Sequence, residues 1–231
     1  MLRKAVLVSG IPKYWQNGLK SIKHWFSDAD IFIHAWDTSL ITIDKTIAYN
    51  PSTYSSDIET CSIIKHFDPK KSLIEKLEDK KQSWIERREC YKKNNIVCAE
   101  SISPFSMFYS IKQANNLKKE YEQENNFLYD VAIRLRFDSD IKTFIPEELY
   151  IKDRLFIPVG HNNSFCGVND QFFFGDTNIM NEACNMYDSF DLICNEIQFF
   201  LPEACFGVYL KKIGVSDKII RNNITVNINN G

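Results

Sequence analysis

The chain has 231 residues, of which 44% are hydrophobic and 25% charged, enough to bury one substantial core, so a single globular domain over residues 1–231 is expected. Its 28 Lys and Arg stand against 30 Asp and Glu, and a net charge of -2 with an isoelectric point near 6.1 argues against a broadly basic surface for DNA or RNA. No run approaches the roughly 18 apolar residues of a membrane span, and the start, with Arg3 and Lys4 ahead of a few apolar residues and then Ser9-Gly10-Ile11-Pro12, lacks the length of a signal peptide. The expectation is a cytoplasmic protein with at most peripheral contact at the inner face of a membrane. Its seven cysteines are odd in number, scattered, and free of C-x-x-C pairs, which fits reduced thiols better than a disulfide frame or a zinc site.

Lys4 to Ser9 reads as a short buried strand that Gly10 and Pro12 end in a tight loop, followed by a helical pattern from about Gln16 to Phe26. A second buried strand at Asp30 to Trp36 stops at Asp37, giving the opening β-α-β unit of a parallel sheet. Ligands of such sheets bind beyond the carboxyl ends of the strands, which places Ser9, Gly10 and Asp37 on a common rim. Asp37 either caps the next turn or accepts hydrogen bonds from a ligand base or ribose. His34, inside the second strand, reads as a hydrogen-bonded core residue.

Residues 38–100 read as an irregular and helical insertion. Thr38 to Pro69 shows no clear periodicity, whereas Lys70 to Asn95 has Leu73, Ile74, Leu77, Trp84 and Ile85 at helical spacing with a charged face. The mixed signs of that face favour solvation over membrane contact. Ser103-Pro104 starts a long helix that runs to about Glu124 and ends at Asn125-Asn126; it could bring Ser106, Tyr109 or Gln113 toward a ligand.

From Leu128 to Ile141, Val131, Ile133, Leu135 and Phe137 fall at period two, with Arg134, Arg136, Asp138 and Asp140 expected on the opposite face. Ionised groups are costly to bury unless paired or bound to an ion, so these four form either salt bridges or a site for a metal and an anion. Two carboxylates two residues apart at a strand end can share a hard divalent cation while arginines meet a phosphate.

Beyond it, Arg154 to Val159 reads as another strand, and the polar loop after it carries His161, which is either a ligand or an ordinary exposed histidine. Asn169-Asp170-Gln171 borders a very apolar run. Asp170 is the best candidate for a general base toward an acceptor hydroxyl, with a turn or helix cap as its alternative role. Asp176 or Thr177 caps a helix, a further helix runs from Pro202-Glu203 to Gly214, and the tail has a short β pattern at Ile224-Thr225-Val226. Glu203, in a first helical turn, is stabilised there by the helix dipole and could also bind a sugar hydroxyl.

Taken in order, Ala5 to Gly10, Asp30 to Asp37, Tyr129 to Asp138 and Asn169 to Gly175 resemble a group of bacterial and viral GT-A-type glycosyltransferases of surface-polysaccharide (capsule- or lipopolysaccharide-like) biosynthesis. The resemblance implies an α/β fold: a single GT-A-like (Rossmann-like) domain with a mostly parallel central sheet and helices on both faces. In it residues 1–140 would bind the nucleotide sugar and residues 141–231 would form the acceptor side. It implies Mn2+ or Mg2+ as cofactor and a nucleotide-diphosphate sugar as donor, with a glycan or lipid-linked acceptor. Ser9, Gly10 and Asp37 would lie near the nucleoside, Arg134 or Arg136 at phosphate, Asp138 and Asp140 at the metal, and Asp170 on the acceptor side. Either aspartate of the D-x-D pair could be the direct ligand.

Two other readings compete. A nucleotidyltransferase would need a richer Gly/Lys phosphate loop than Ser9-Gly10-Ile11-Pro12-Lys13 provides. A non-catalytic GT-A-like module that binds a glycan or a partner would instead pair its aspartates with Arg134 and Arg136.

Overall fold

A computed structural model describes residues 2–39, 43–48, 59–98, 100–160 and 167–228. In chain order the elements are β1 (Lys4–Gly10), α1 (Trp15–Trp25), β2 (Asp30–Asp37), α2 (Thr60–Lys65), β3 (Lys71–Lys76), α3 (Glu78–Lys93), β4 (Val97–Cys98), α4 (Ser103–Asn125) and β5 (Val131–Arg136). They continue with β6 (Ser139–Ile141), β7 (Leu155–Pro158), β8 (Phe173–Asp176), α5 (Thr177–Ala183), α6 (Phe190–Ile197), β9 (Phe199–Phe200), α7 (Pro202–Lys212), β10 (Ile219–Asn222) and β11 (Val226–Ile228).

Seven strands form the central sheet in the order β10-β7-β8-β5-β1-β2-β3. All neighbours pair in parallel except β8, which runs against both β5 and β7. This is an α/β architecture consistent with a Rossmann-like fold. Its middle strands carry near-continuous apolar runs because both faces are covered. On β1, Ala5 and Leu7 join a core with Phe105, Phe108 and Ile111 of α4, while Val6 and Val8 join a second core with Ile22 of α1 and Ile63 of α2. Helices therefore cover both faces. Among the described residues no helix is long and apolar enough to cross a membrane.

The long helix α4 begins at Ser103-Pro104 as its sequence signals, and it stops at Asn126, whose φ of 53° is the left-handed conformation that asparagine tolerates. Its far end holds a buried ion pair in which Lys118 donates to both oxygens of Glu122 and to Thr177 Oγ1 at 2.7 to 3.0 Å. Asp176 caps α5 by accepting from the Asn178 amide.

Two expectations need correction. Lys71–Lys76 is not the first part of a helix: it pairs with β2 as the edge strand of the sheet, with Leu73 and Glu75 half-buried against the fold and Ser72, Ile74 and Lys76 exposed. Pairing to an existing strand outweighs the helical preference of its Lys, Leu and Glu. The four charges expected on one face of a single strand are also divided. β5 ends at Arg136, the chain turns through Phe137 and Asp138, and β6 starts a separate antiparallel pair with β11. Arg134, far from lying on an open face, is 1% exposed, with its guanidinium over the Phe173 ring.

Candidate functional site

At the carboxyl ends of β1 and β5 lies a cavity of about 270 Å³. It occupies the place where the sheet geometry leads one to look, since the loops leaving parallel strands diverge there and leave room. Ser9 and Gly10 close β1 on its rim, and Gly10 has a φ of +118°, a turn conformation that suits glycine. Lys13 enters from the loop that follows.

The opposite wall is built by β5 and the turn after it. Ser9 is in register with Arg136, two positions beyond Arg134 on the same face of β5. Arg136 donates from Nε to Asp138 Oδ1 and from Nη2 to Asp138 Oδ2, each at 2.8 Å, a bidentate pair, and Lys13 Nζ stands 3.5 Å from Oδ2. Burial holds the Lys13 ammonium below its ordinary range against the opposing pull of Asp138. Asp138 itself is 1% exposed but lines the cavity.

Arg134 lies deeper. Its Nη1 donates to the Asp170 carbonyl at 2.5 Å, and burial lowers its pKa to about 10, partly offset by the nearby Asp170 carboxylate, so it remains a cation at neutral pH. Arg134 Nε and Ser9 Oγ are buried and have no hydrogen-bond partner among the described residues, and both side chains line the cavity. Polar atoms in that condition are ones a ligand would satisfy.

Asp170 and Glu203 complete the third wall. Asp170 precedes β8, and Glu203 sits in the first turn of α7, with its carbonyl accepting from the Val168 amide at 3.1 Å. Burial, and then the negative charge of Glu203, push the Asp170 carboxyl up to about 7, against the opposing effect of Arg134 and Arg136. A carboxyl held there exchanges its proton near neutral pH. The cap in this turn is Asn169, whose Oδ1 accepts from the Gln171 amide at 2.9 Å, so Asp170 is not needed for that job. The start of α4 contributes Ser103 and Ser106; its amides are already engaged, since Ser103 N donates to Ser101 Oγ and Ser106 N to the Ile102 carbonyl.

Of the residues singled out in the sequence, Ser9, Gly10, Arg134, Arg136, Asp138 and Asp170 thus meet around one cavity. Asp37 and Asp140 do not line it. Asp37 accepts from the Ser39 amide at the end of β2, and Asp140, in β6, pairs with Lys142 at 2.5 Å. Tyr109 is turned away to Glu75, and His34 is buried between Ser110 and Glu75 as a core residue. His161 lies outside the described residues. Lys13, which the sequence offers only as part of a loop too poor in Gly and Lys for a phosphate loop, also lines the cavity.

The donor set can be tested against a divalent cation. Among the described residues no three His, Cys, Asp or Glu side chains converge to hold an ion unaided. Asp138 and Asp140 are engaged by different cations, and only Asp138 lines the cavity. Each Asp138 oxygen keeps accepting capacity after its bond from Arg136. Ions such as Mg2+ are commonly held by one or two carboxylates together with substrate phosphates, so the residues fit an ion shared with a bound diphosphate, with Asp138 as the protein ligand. Lys13, Arg134 and Arg136 face Asp138, Glu203 and the partly protonated Asp170, so the cavity has little net positive charge and a polyanion entering it gains from bringing a cation with it. No protein-family model matches the chain, and a search of curated proteins returns no relative.

Proposed function

We propose that the protein is a glycosyltransferase of GT-A type that moves a sugar from a nucleotide-diphosphate sugar to a hydroxyl of a glycan or lipid-linked acceptor, with Mn2+ or Mg2+. The observation that carries this reading is the cavity at the carboxyl end of the sheet in which Arg134, Arg136 and Lys13 meet Asp138 and Asp170. In this scheme the acceptor hydroxyl passes its proton to Asp170 and its oxygen bonds to the anomeric carbon as the bond from that carbon to the diphosphate breaks. The electron pair leaves with the diphosphate, whose growing charge Lys13 and Arg136 would meet. The bound divalent ion would supply Lewis-acid neutralisation of the same charge. Asp138 would hold that ion, and Arg136 would hold Asp138.

One observation favours a second reading, a non-catalytic glycan- or partner-binding module: Asp138 engages both oxygens with Arg136, as a purely structural pair would. Calorimetric titration with UDP and with GDP, with and without Mn2+, separates the two. The enzyme reading expects Mn2+-dependent binding of one nucleotide, weakened at least tenfold (about 1.4 kcal/mol) by Asp138→Asn. Binding of neither nucleotide under either condition, with Asp138→Asn changing only stability, would leave the module.

A further inference from the structure

Helix α1 makes a file of hydrogen bonds to the chain that carries Asp138. Gly18 N donates to the Phe137 carbonyl at 2.9 Å, and Ser21 Oγ donates to the Ser139 carbonyl and accepts from the Ile141 amide, each at 2.9 Å. Trp25 Nε1 then donates to the Ile141 carbonyl at 3.1 Å. Gly18, Ser21 and Trp25 share one helix face, and their acceptors are the carbonyls of residues 137, 139 and 141, which run from the turn after β5 into β6. A helix and a strand laid side by side match in this way only in one register.

The closest approach is at Gly18. A β-carbon there would stand 2.5 Å from the Phe137 carbonyl oxygen, 3.1 Å from its carbon and 3.2 Å from the Arg136 carbonyl oxygen. Those are backbone atoms of the two residues that lead into Asp138, and they cannot swing aside as a side chain could. Gly18 lies inside an 11-residue helix, where alanine is the better helix former, so its presence has no local justification. Its justification is the turn it touches. The turn is closed from its own side as well, by the Arg136 amide donating to Ser139 Oγ at 3.1 Å.

We infer that Gly18 and Ser21 are positioning residues: through the 136–141 backbone they set where the Asp138 carboxylate and its Arg136 partner stand in the cavity. The catalytic significance of that placement rests on the function proposed above; the placement does not. A β-carbon at position 18 would push the Phe137-Asp138 peptide, whose carbonyl it meets first, and carry Asp138 off the Arg136 guanidinium while leaving the rest of the sheet intact.

The test uses Gly18→Ala, Ser21→Ala and Ser21→Thr, with exposed Lys20→Ala as control. Circular dichroism and urea midpoints establish folding, and the Arg136 Nε–H signal, in 15N NMR with Arg136→Lys for assignment, reports the ion pair without any ligand. We expect that signal to be lost or to exchange rapidly in Gly18→Ala and Ser21→Ala, to return in Ser21→Thr, which keeps the hydroxyl, and to be unchanged in Lys20→Ala. In titrations with UDP or GDP, the Mn2+-dependent part of binding should fall at least tenfold in Gly18→Ala, while metal-free binding stays within twofold. A folded Gly18→Ala or Ser21→Ala protein with a wild-type Arg136 signal would overturn the inference; should Gly18→Ala not fold, Ser21→Ala with its threonine rescue decides. Failure of the wild type to bind either nucleotide would count against the glycosyltransferase reading alone, because the Arg136 signal still settles the role of α1.

Discussion

Asp170 is an acid kept in surroundings that resist its ionisation: it is buried, and Glu203 on the same wall adds a like charge. Because its folded pKa is raised from 3.8 to about 7, the folded protein holds this proton over a range where the unfolded chain has released it. Stability therefore falls on this account as pH rises from about 4 to about 7 and is flat above. The upper bound of the loss is on the order of 4 kcal/mol. Asp170→Asn removes the titration, so the variant should gain on the wild type as pH rises from 5 to 8, by up to a few kcal/mol in urea unfolding. A stability difference between the two that does not change with pH would count against a raised Asp170. If Asp170 is also the base, turnover should rise through a limb near pH 7 that the variant lacks.

At the scale of elements, β8 is the hinge between the two halves of the sheet, since it alone connects β5 to the β7–β10 edge. It lies close to β7 because of Gly175, where a β-carbon would stand 2.2 Å from the Arg154 carbonyl oxygen. That oxygen accepts from the Asp176 amide at 3.2 Å. Gly175→Ala should therefore force the strands apart and cost about 1–3 kcal/mol or more, read as a lower urea midpoint at unchanged slope. Phe156 and Phe174, stacked at 4.8 Å across the same pair, would part with it.

The elements also show what the chain discloses in one dimension. β1, β2, α4 and α7 were legible because each has a period, a start signal or a stop that depends on near neighbours: a run of apolar residues, Ser103-Pro104, Gly214. β3 and β10 were not, because what makes Lys71–Lys76 and Ile219–Asn222 strands is the exposed edge of β2 or β7 alongside them, and neither edge is visible from inside the segment. The site follows the same division. Residues at strand ends, such as Ser9, Gly10, Arg136 and Asp138, gathered where the sheet brings them. A two-residue spacing predicts Asp140 beside Asp138, but Asp138 closes the turn after β5 while Asp140 lies in β6 and pairs with Lys142. Lys13 reads in the sequence only as the end of a loop too poor for a phosphate loop; a buried carboxylate 3.5 Å away gives it a place.

Across the whole molecule, the net charge of -2 offers no general attraction to an anionic ligand, so recognition has to come from charges gathered at one place. Lys13 and Arg136 are partly screened from solvent, and if the cavity takes a nucleotide as proposed, their attraction for it should be weakened, not abolished, by salt. Raising ionic strength from about 0.05 to 0.5 M shortens the screening length from roughly 14 to 4 Å, and nucleotide affinity should fall several-fold, measured by titration at fixed Mn2+. An affinity that does not change with salt would mean that contacts to the base and sugar, and not these cations, hold the ligand.

The antiparallel pairing of β6 with β11 has a consequence for how the protein comes into being. Residues 139–141 leave the ribosome long before residues 226–228, and until the later strand arrives the segment just past Asp138 shows an unpaired edge, with Asn227 still to come opposite Asp140. β1 and β5, by contrast, are both in place once residue 136 has emerged. At about 5–20 residues per second, several seconds separate the emergence of β1, β2, β3 and β5 from that of the strand that pairs with β6. A message cut short before residue 226 would thus yield a chain able to assemble the middle of the sheet but not the strand pair that follows Asp138.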